Sequence, residues 1–363
     1  MMKILFTLDY EIFGNGDGCP NKLMVKPTRR LLDLFEPFGA KLTIMAEVAQ
    51  MMKFRDFLDE KGRDDYYFTA ITDQLKQAIA TRHDVQLHVH PSYLNAVYQD
   101  GKWKQDWSEY NLASLDYTRI FNIIQTGKGF LNDLLKPVNP DYECQYFRSA
   151  NWSMSPSQNI VRALVENGFL IDTSVFKYGK RKGLVTFDYS SAWHACLPWP
   201  VNEKDVNQID SSGKLMEFPI YCEQRPLTDF ISMNRLLCTY VGKRHTVQNV
   251  QKGYFTDETA PSPGFVPKYK NMFKRQYPLK MDFNQCTGRQ MIGGLENAWK
   301  ACHETNHDVP FVLIGHSKSY NTVNQIELTR FLKYIVRHSD RFSFATFGDF
   351  DLAKFQHPTL NGK

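Results

Sequence analysis

A chain of 363 residues, 42% hydrophobic and 23% charged, has a globular composition and enough length for one large barrel or two ordinary domains. Its formal charge of +5 is spread along the chain, and with no zinc-finger spacing, RNP string or P-loop the sequence excludes a nucleic-acid binder. The seven cysteines never come closer than 16 residues, which excludes a CxxC metal site and a disulfide framework and suits a reducing compartment.

The opening stretch, MMKILFTLDYEIFG, has one lysine and a short apolar run, too little for a secretory leader. No segment reaches the ~18 uninterrupted apolar residues of a membrane span, so the expectation is a soluble cytoplasmic protein. Lys3–Leu8 is uncharged inside and predicts a strand buried on both faces. Pro27 opens a helical pattern that Gly39 closes. Leu42–Ala46 and Val85–Val89 predict further buried strands, with a helix at Asp73–Ala80 between them. Thr118–Lys136 repeats apolar residues at helical spacing, and Tyr146–Phe147 is a brief strand. Ser155-Pro156 starts a helix with Ile160, Val161, Leu164 and Val165 on one face and Gly168 as its stop, before a strand at Phe169–Ile171. Late in the chain come a strand at Phe311–Gly315, a helix at Ile326–Val336 and a strand at Phe342–Ala345. This alternation calls for a parallel sheet with covering helices. Residues 225–290, rich in Lys, Tyr, Phe and Pro, interrupt it and predict an insertion carried by a single domain spanning 1–363.

Chemistry-bearing residues cluster at the strand ends, where open α/β sheets and barrels build their sites. Asp9 and Glu11 in TLDYE are two residues apart, so an extended backbone points both carboxylates the same way. A divalent cation would remove their repulsion; a solvated pair at a strand-to-loop turn is the alternative. His88 and His90 in LHVHP repeat the spacing, and two imidazoles facing one way suit Zn²⁺, Fe²⁺, Mn²⁺ or Co²⁺. Arg148, in FRSANW, can hold a buried carboxylate ionised and oriented. His316, in LIGHSK, is placed to protonate a leaving amine, with Lys318 two residues on. Asp172, in LIDTSV, could pair with Arg148 or orient His316. Glu47 is a further strand-end carboxylate that reads as support for ligands rather than as one. Trp152 reads as core packing or a cleft wall.

Taken in order, these strings resemble the polysaccharide deacetylase family, the NodB-homology enzymes of carbohydrate esterase family 4. TLDYE resembles the first family motif, LHVHP the second, FRSANWS the third, IDTSV the fourth and LIGHSK the fifth, and LMEFPI (Leu215–Ile220) resembles a strand that precedes the last. The resemblance runs from Lys3 to about Phe350 and implies a distorted (β/α)7 barrel with an inserted segment. It also implies one divalent metal, zinc first with cobalt, manganese or iron as alternatives, held by Glu11, His88 and His90. The family's usual histidine pair is spaced HxxxH, and Tyr10 stands where the commonest first motif, TFDDG, has its second aspartate. Asp9 would be the catalytic base, Arg148 its orienting cation, Asp172 the fourth-motif acid and His316 the general acid.

The implied function is removal of acetyl groups from an N-acetylated sugar in a surface-polysaccharide intermediate, nucleotide- or lipid-linked. Two alternatives keep the barrel: an inactive carbohydrate-binding protein and a metal amidohydrolase of small amides. Aromatic residues, 14% of the chain, serve sugar clefts and large cores alike. The basic, aromatic stretch Lys268–Lys280 is a candidate lining for an extended glycan or a phosphate-bearing substrate, or else a solvated face.

Overall fold

The computed structural model of the chain describes residues 1–357 apart from 15, 17, 100–101, 232–234, 238–239, 242–274 and 306. Its strands are β1 (Met2–Tyr10), β2 (Leu42–Glu47), β3 (Asp84–Val89), a hairpin of β4 (Val97–Gln99) and β5 (Lys102–Lys104), β6 (Tyr146–Ser149) and β7 (Ile171–Asp172). A second hairpin, β8 (Lys180–Arg181) and β9 (Phe187–Asp188), precedes β10 (Trp199–Asn202), β11 (Asp205–Ile209) and β12 (Met216–Glu217). Then come a ribbon of β13 (Cys222–Arg225) and β14 (Tyr277–Lys280), and finally β15 (Val309–His316) and β16 (Phe342–Phe344). The helices are α1 (Lys26–Phe35), α2 (Val48–Lys61), α3 (Phe68–Ala80), α4 (Tyr117–Leu135), α5 (Ser157–Glu166), α6 (Gly288–Cys302) and α7 (Thr322–Arg337).

Parallel pairing runs β12-β7-β6-β3-β2-β1-β15. The free side of β15 is met by the chain leaving β12, where Ile220 bridges Val312 and the Tyr221 N–H donates to the Val312 carbonyl at 3.0 Å. Asp282, just past β14, bridges Ile314 on that same side. The sheet therefore closes on itself as a distorted barrel of parallel strands, the architecture expected from the motif order. β16 pairs with Met2–Ile4 of β1, the part of its edge that β2 leaves unused.

The apolar runs form strands because both faces are covered, leaving no residue of β2 exposed. Leu5, Val312, Ile314, Met216, Phe218 and Ile220 fill one face. Phe6, Leu8, Phe147 and Leu313 pack on the other with Leu31, Phe54 and Phe331 of the helices. Gly39 and Gly62 end α1's following turn and α2 with φ of 65°, a left-handed cap that glycine adopts at no steric cost.

Most expected elements lie within a few residues of their predicted limits. Two helices do not follow from the sequence reading, α2 and α6. The first buries Val48, Ala49, Met51, Phe54 and Phe57, and the second begins at Gly288, inside the C-terminal limit of the expected insertion. Much of that insertion, residues 242–274, lies outside the described residues, as does the Lys268–Lys274 part of the basic stretch. Its flanks leave and return as the β13–β14 ribbon. No helix among the described residues is long and apolar enough to cross a membrane.

Candidate active site

The register of the barrel brings the strand ends level. Asp9 pairs with His316, Glu47 with His88, and His88 with Arg148, all near the C-terminal ends of their strands. Strand alternation sends Asp9 and Glu11 inward and Tyr10 outward, where its hydroxyl donates to Gln74 of α3 at 2.8 Å. Tyr10 is thus a packing residue at the position where the family motif differs.

Asp9 and Glu11 are both almost fully buried yet held ionised by different cations. Arg148 Nη1 donates to Asp9 Oδ1 at 2.8 Å, while its Nε and Nη2 donate to the carbonyl and hydroxyl of Thr173 at 2.9 and 3.3 Å. Burial alone would raise the Asp9 pKa, but Arg148, His88 and His316 outweigh it and bring it below its ordinary value. Glu11 Oε1 accepts from Lys318 Nζ at 2.7 Å. Burial again opposes ionisation, and Lys318 and the two histidines carry the Glu11 carboxyl well below its usual range.

The other oxygen of Glu11 faces the histidines. Oε2 lies 2.8 Å from His90 Nε2 and 3.5 Å from His88 Nε2, without the alignment of a hydrogen bond. His88 Nδ1 lies 2.9 Å from the Arg148 carbonyl, which can only accept, so that nitrogen carries the hydrogen and Nε2 carries the lone pair when the ring is neutral. Buried, unpartnered Glu11 Oε2 and His88 Nε2 beside His90 form a carboxylate–imidazole donor set that suits a divalent first-row cation. Burial lowers the His88 pKa, but Glu11, Asp9 and Glu47 push it up to about 9, so a cation would compete with a proton there.

Glu47 has a different task. Its Oε1 accepts from the backbone N–H of Ala49 at 2.9 Å and of Gln50 at 3.4 Å, capping α2, and its Oε2 accepts from the His90 N–H at 2.7 Å. It positions a histidine, and its carboxylate also lies within reach of the donor atoms of Glu11, His88 and His90. His316 faces the cluster from the far side, with Nε2 3.5 Å from Asp9 Oδ2 and 4.0 Å from Glu11 Oε1. Asn284 Oδ1 accepts its backbone N–H at 2.6 Å, and the Trp152 ring packs edge-on at 5.8 Å. Burial holds the His316 pKa below its ordinary value, against the field of Asp9.

Asp172 requires a correction. Register pairs it with Phe147, whose side chain points to the opposite face from that of Arg148. It makes no hydrogen bond or ion pair with Arg148 or His316, the two partners that its sequence position offered, although the positive charge of Arg148 still acts to lower its pKa. Asp172 Oδ1 accepts from Ser174 Oγ at 2.6 Å, and its neighbour across the ladder is Glu217. Both carboxyls are fully buried, each keeps one oxygen without a hydrogen-bond partner, and burial raises both pKa values, that of Glu217 by far the more. Burial and the neighbouring charge of Asp172 thus favour the neutral form of Glu217, whose Oε1 accepts from the Val175 N–H at 3.0 Å.

No family model matches the chain, and no curated protein matches it. Solved structures do. A probable polysaccharide deacetylase from Pseudomonas aeruginosa PAO1 is 15% identical, over 96% of this chain and 89% of that one, with a TM-score of 0.46. PuuE allantoinase is 14% identical over 96% and 88% with a TM-score of 0.45. The GH57-type branching enzyme from Pyrococcus horikoshii is 10% identical over 99% and 71% with a TM-score of 0.48. Likeness this distant assigns no activity, and function has to be argued from the site.

Sequence reading found Asp9, Glu11, His88, His90, Arg148 and His316, and the structure gathers all six. It missed the roles of Thr173, Asn284, Glu217 and Lys318. Lys318 carried a usable signal, a cation at the same two-residue spacing after His316 that separates the other paired site residues. The others are set by register, which no local pattern displays.

Proposed function

We propose that this chain is a metal-dependent N-deacetylase acting on an N-acetylated sugar. The observation that carries the reading is the convergence of Glu11, His88 and His90 beside an arginine-held Asp9, with His316 opposite. A divalent cation held by Glu11, His88 and His90, zinc first, then cobalt, manganese or iron, would acidify water and polarise an amide carbonyl.

The chain's own groups handle the protons. Asp9, kept ionised by Arg148, takes a proton from the attacking water. His316 enters neutral because burial depresses its pKa, and Asp9 Oδ2 at 3.5 Å is placed to supply the proton that His316 then gives to the departing amine. Arg148 stays fixed by Thr173 throughout, so the base keeps its orientation as its charge changes. The products are acetate and a free amino sugar.

The finer reading is a nucleotide- or lipid-linked intermediate of surface-polysaccharide assembly. Acetate release across a panel of N-acetylated sugar nucleotides and lipid-linked glycans tests it: turnover on one carrier class supports that class, and release from none of them with metal supplied sinks the reading. A carbohydrate-binding barrel without turnover has one observation in its favour, Lys318 already giving Glu11 a positive partner at 2.7 Å. Metal analysis separates the two, since a protein that takes up no zinc or cobalt would favour binding alone.

A further inference from the structure

The loop that follows β6 bends sharply beside His316. Asn151 and Trp152 both hold left-handed backbone, with φ of 58° and 59°, which side-chain-bearing residues rarely adopt singly and still more rarely in succession. Trp152 is held there by Lys280, whose Nζ stands 3.5 Å above the ring centroid and 5.0 Å from the Phe176 ring. Asn151 is held by Arg181 Nη1 and the Tyr110 hydroxyl, which donate to its Oδ1 at 3.0 and 3.1 Å.

Neither cation has an ion-pair partner among the described residues. The carboxylate nearest to Lys280 in sequence, Asp282, spends its oxygens on the Asn284 N–H at 2.9 Å and Gln285 Nε2 at 3.0 Å. Asp9 is occupied by Arg148. Burial lowers the Lys280 pKa, and the fields of Asp282 and Asp9 oppose that without a contact. Two N–H donors of the same loop, Asn151 Nδ2 and Trp152 Nε1, are also buried without a partner. Buried donors without acceptors are costly, and here two occur beside two unpaired cations.

Two cations and two unpartnered N–H groups on one loop and the residues that hold it would be satisfied by an acceptor-rich anion. We propose that Lys280, Arg181, Asn151 and Trp152 form a subsite for a negatively charged substituent, carboxylate or phosphate, on the sugar chain whose acetyl group is removed. The inference rests on the deacetylase reading for the identity of the neighbouring chemistry, and adds that the substrate is anionic. Lys280 and Arg181 are specificity residues in this account. The competing role, a purely structural clamp on Trp152, would act on all substrates alike.

Three probes separate these outcomes: N-acetylglucosamine tetrasaccharide as the neutral case, a hyaluronan tetrasaccharide for carboxylate, and N-acetylglucosamine 1-phosphate for phosphate. Calorimetric binding to the full-length Asp9→Asn protein reads the subsite without turnover, and acetate release by the unaltered chain reads the deacetylase. The account expects one anionic probe to bind about 10-fold or more tighter than the neutral one, the weight of a single charge-assisted hydrogen bond. Lys280→Gln and Arg181→Gln should each collapse that ratio, and Lys280→Arg should keep it. Equal binding of acidic and neutral probes, or a Lys280→Gln loss that is the same for both, overturns the proposal. If the anionic preference and its Lys280 dependence hold while no probe releases acetate, the subsite stands and the deacetylase reading falls.

Discussion

Asp9 and Glu11 stand two residues apart on one strand, and each draws its charge from a different cation 139 and 307 residues away in the chain. That division matters because two adjacent buried carboxylates would otherwise share a proton and leave neither free to act. Arg148 is fully buried and spends its guanidinium on Asp9 and Thr173, so Arg148→Met should cost about 3–5 kcal/mol in chemical denaturation by stranding a buried charge. The Asp172–Glu217 pair behaves oppositely. A carboxyl whose folded pKa is raised favours the native state only while protonated, so Glu217 withdraws stability as pH climbs above its ordinary 4.5. Glu217→Gln keeps the size of the side chain and cannot ionise. Its melting temperature should match the unaltered protein near pH 4.5 and exceed it increasingly toward pH 8; a constant difference across that range would refute the raised Glu217 pKa.

At the scale of elements, the site is positioned by strand ends and by close approach of one side chain to a backbone. Gly315 precedes His316, and a Cβ there would meet the Phe283 ring at 2.0 Å. Gly315→Ala must displace the Asp282–Asn284 segment that holds the His316 backbone. Overpacking of this kind costs about 1–3 kcal/mol, so a lower melting temperature is expected together with a loss of turnover. A variant as stable and active as the parent would show that the segment yields freely. Strands such as β1, β2 and β15 were legible because burial on both faces leaves uninterrupted apolar runs. The broad buried face of α2 and the single bridges at Ile220 and Asp282 leave no comparable periodic mark. Asp172 shows the limit most clearly: its strand-end position was visible, but which face it takes depends on register against β6, set by residues far away in the chain.

Across the whole molecule, the barrel brings Asp9, Glu11, His88, His90, Arg148 and His316 from four separate stretches of sequence to one rim. Residue types and order were readable because each lies beside its own strand. Their pairings, Lys318 on Glu11 above all, emerge only when β15 closes beside β1. A cation bound to this rim also ties these strands together. Zinc at about 100 times its dissociation constant should stabilise the fold by about 2.7 kcal/mol, a rise of several degrees in melting temperature that His88→Ala should abolish. The most direct test of the central claim is acetate release from an N-acetylated sugar by the chain and by Asp9→Asn, each stripped and reloaded with one equivalent of zinc or cobalt. The account predicts turnover only in the reloaded parent, with Asp9→Asn retaining the metal and losing at least about 100-fold in rate. Equal turnover by the stripped protein, or an Asp9→Asn variant as fast as the parent, would contradict it.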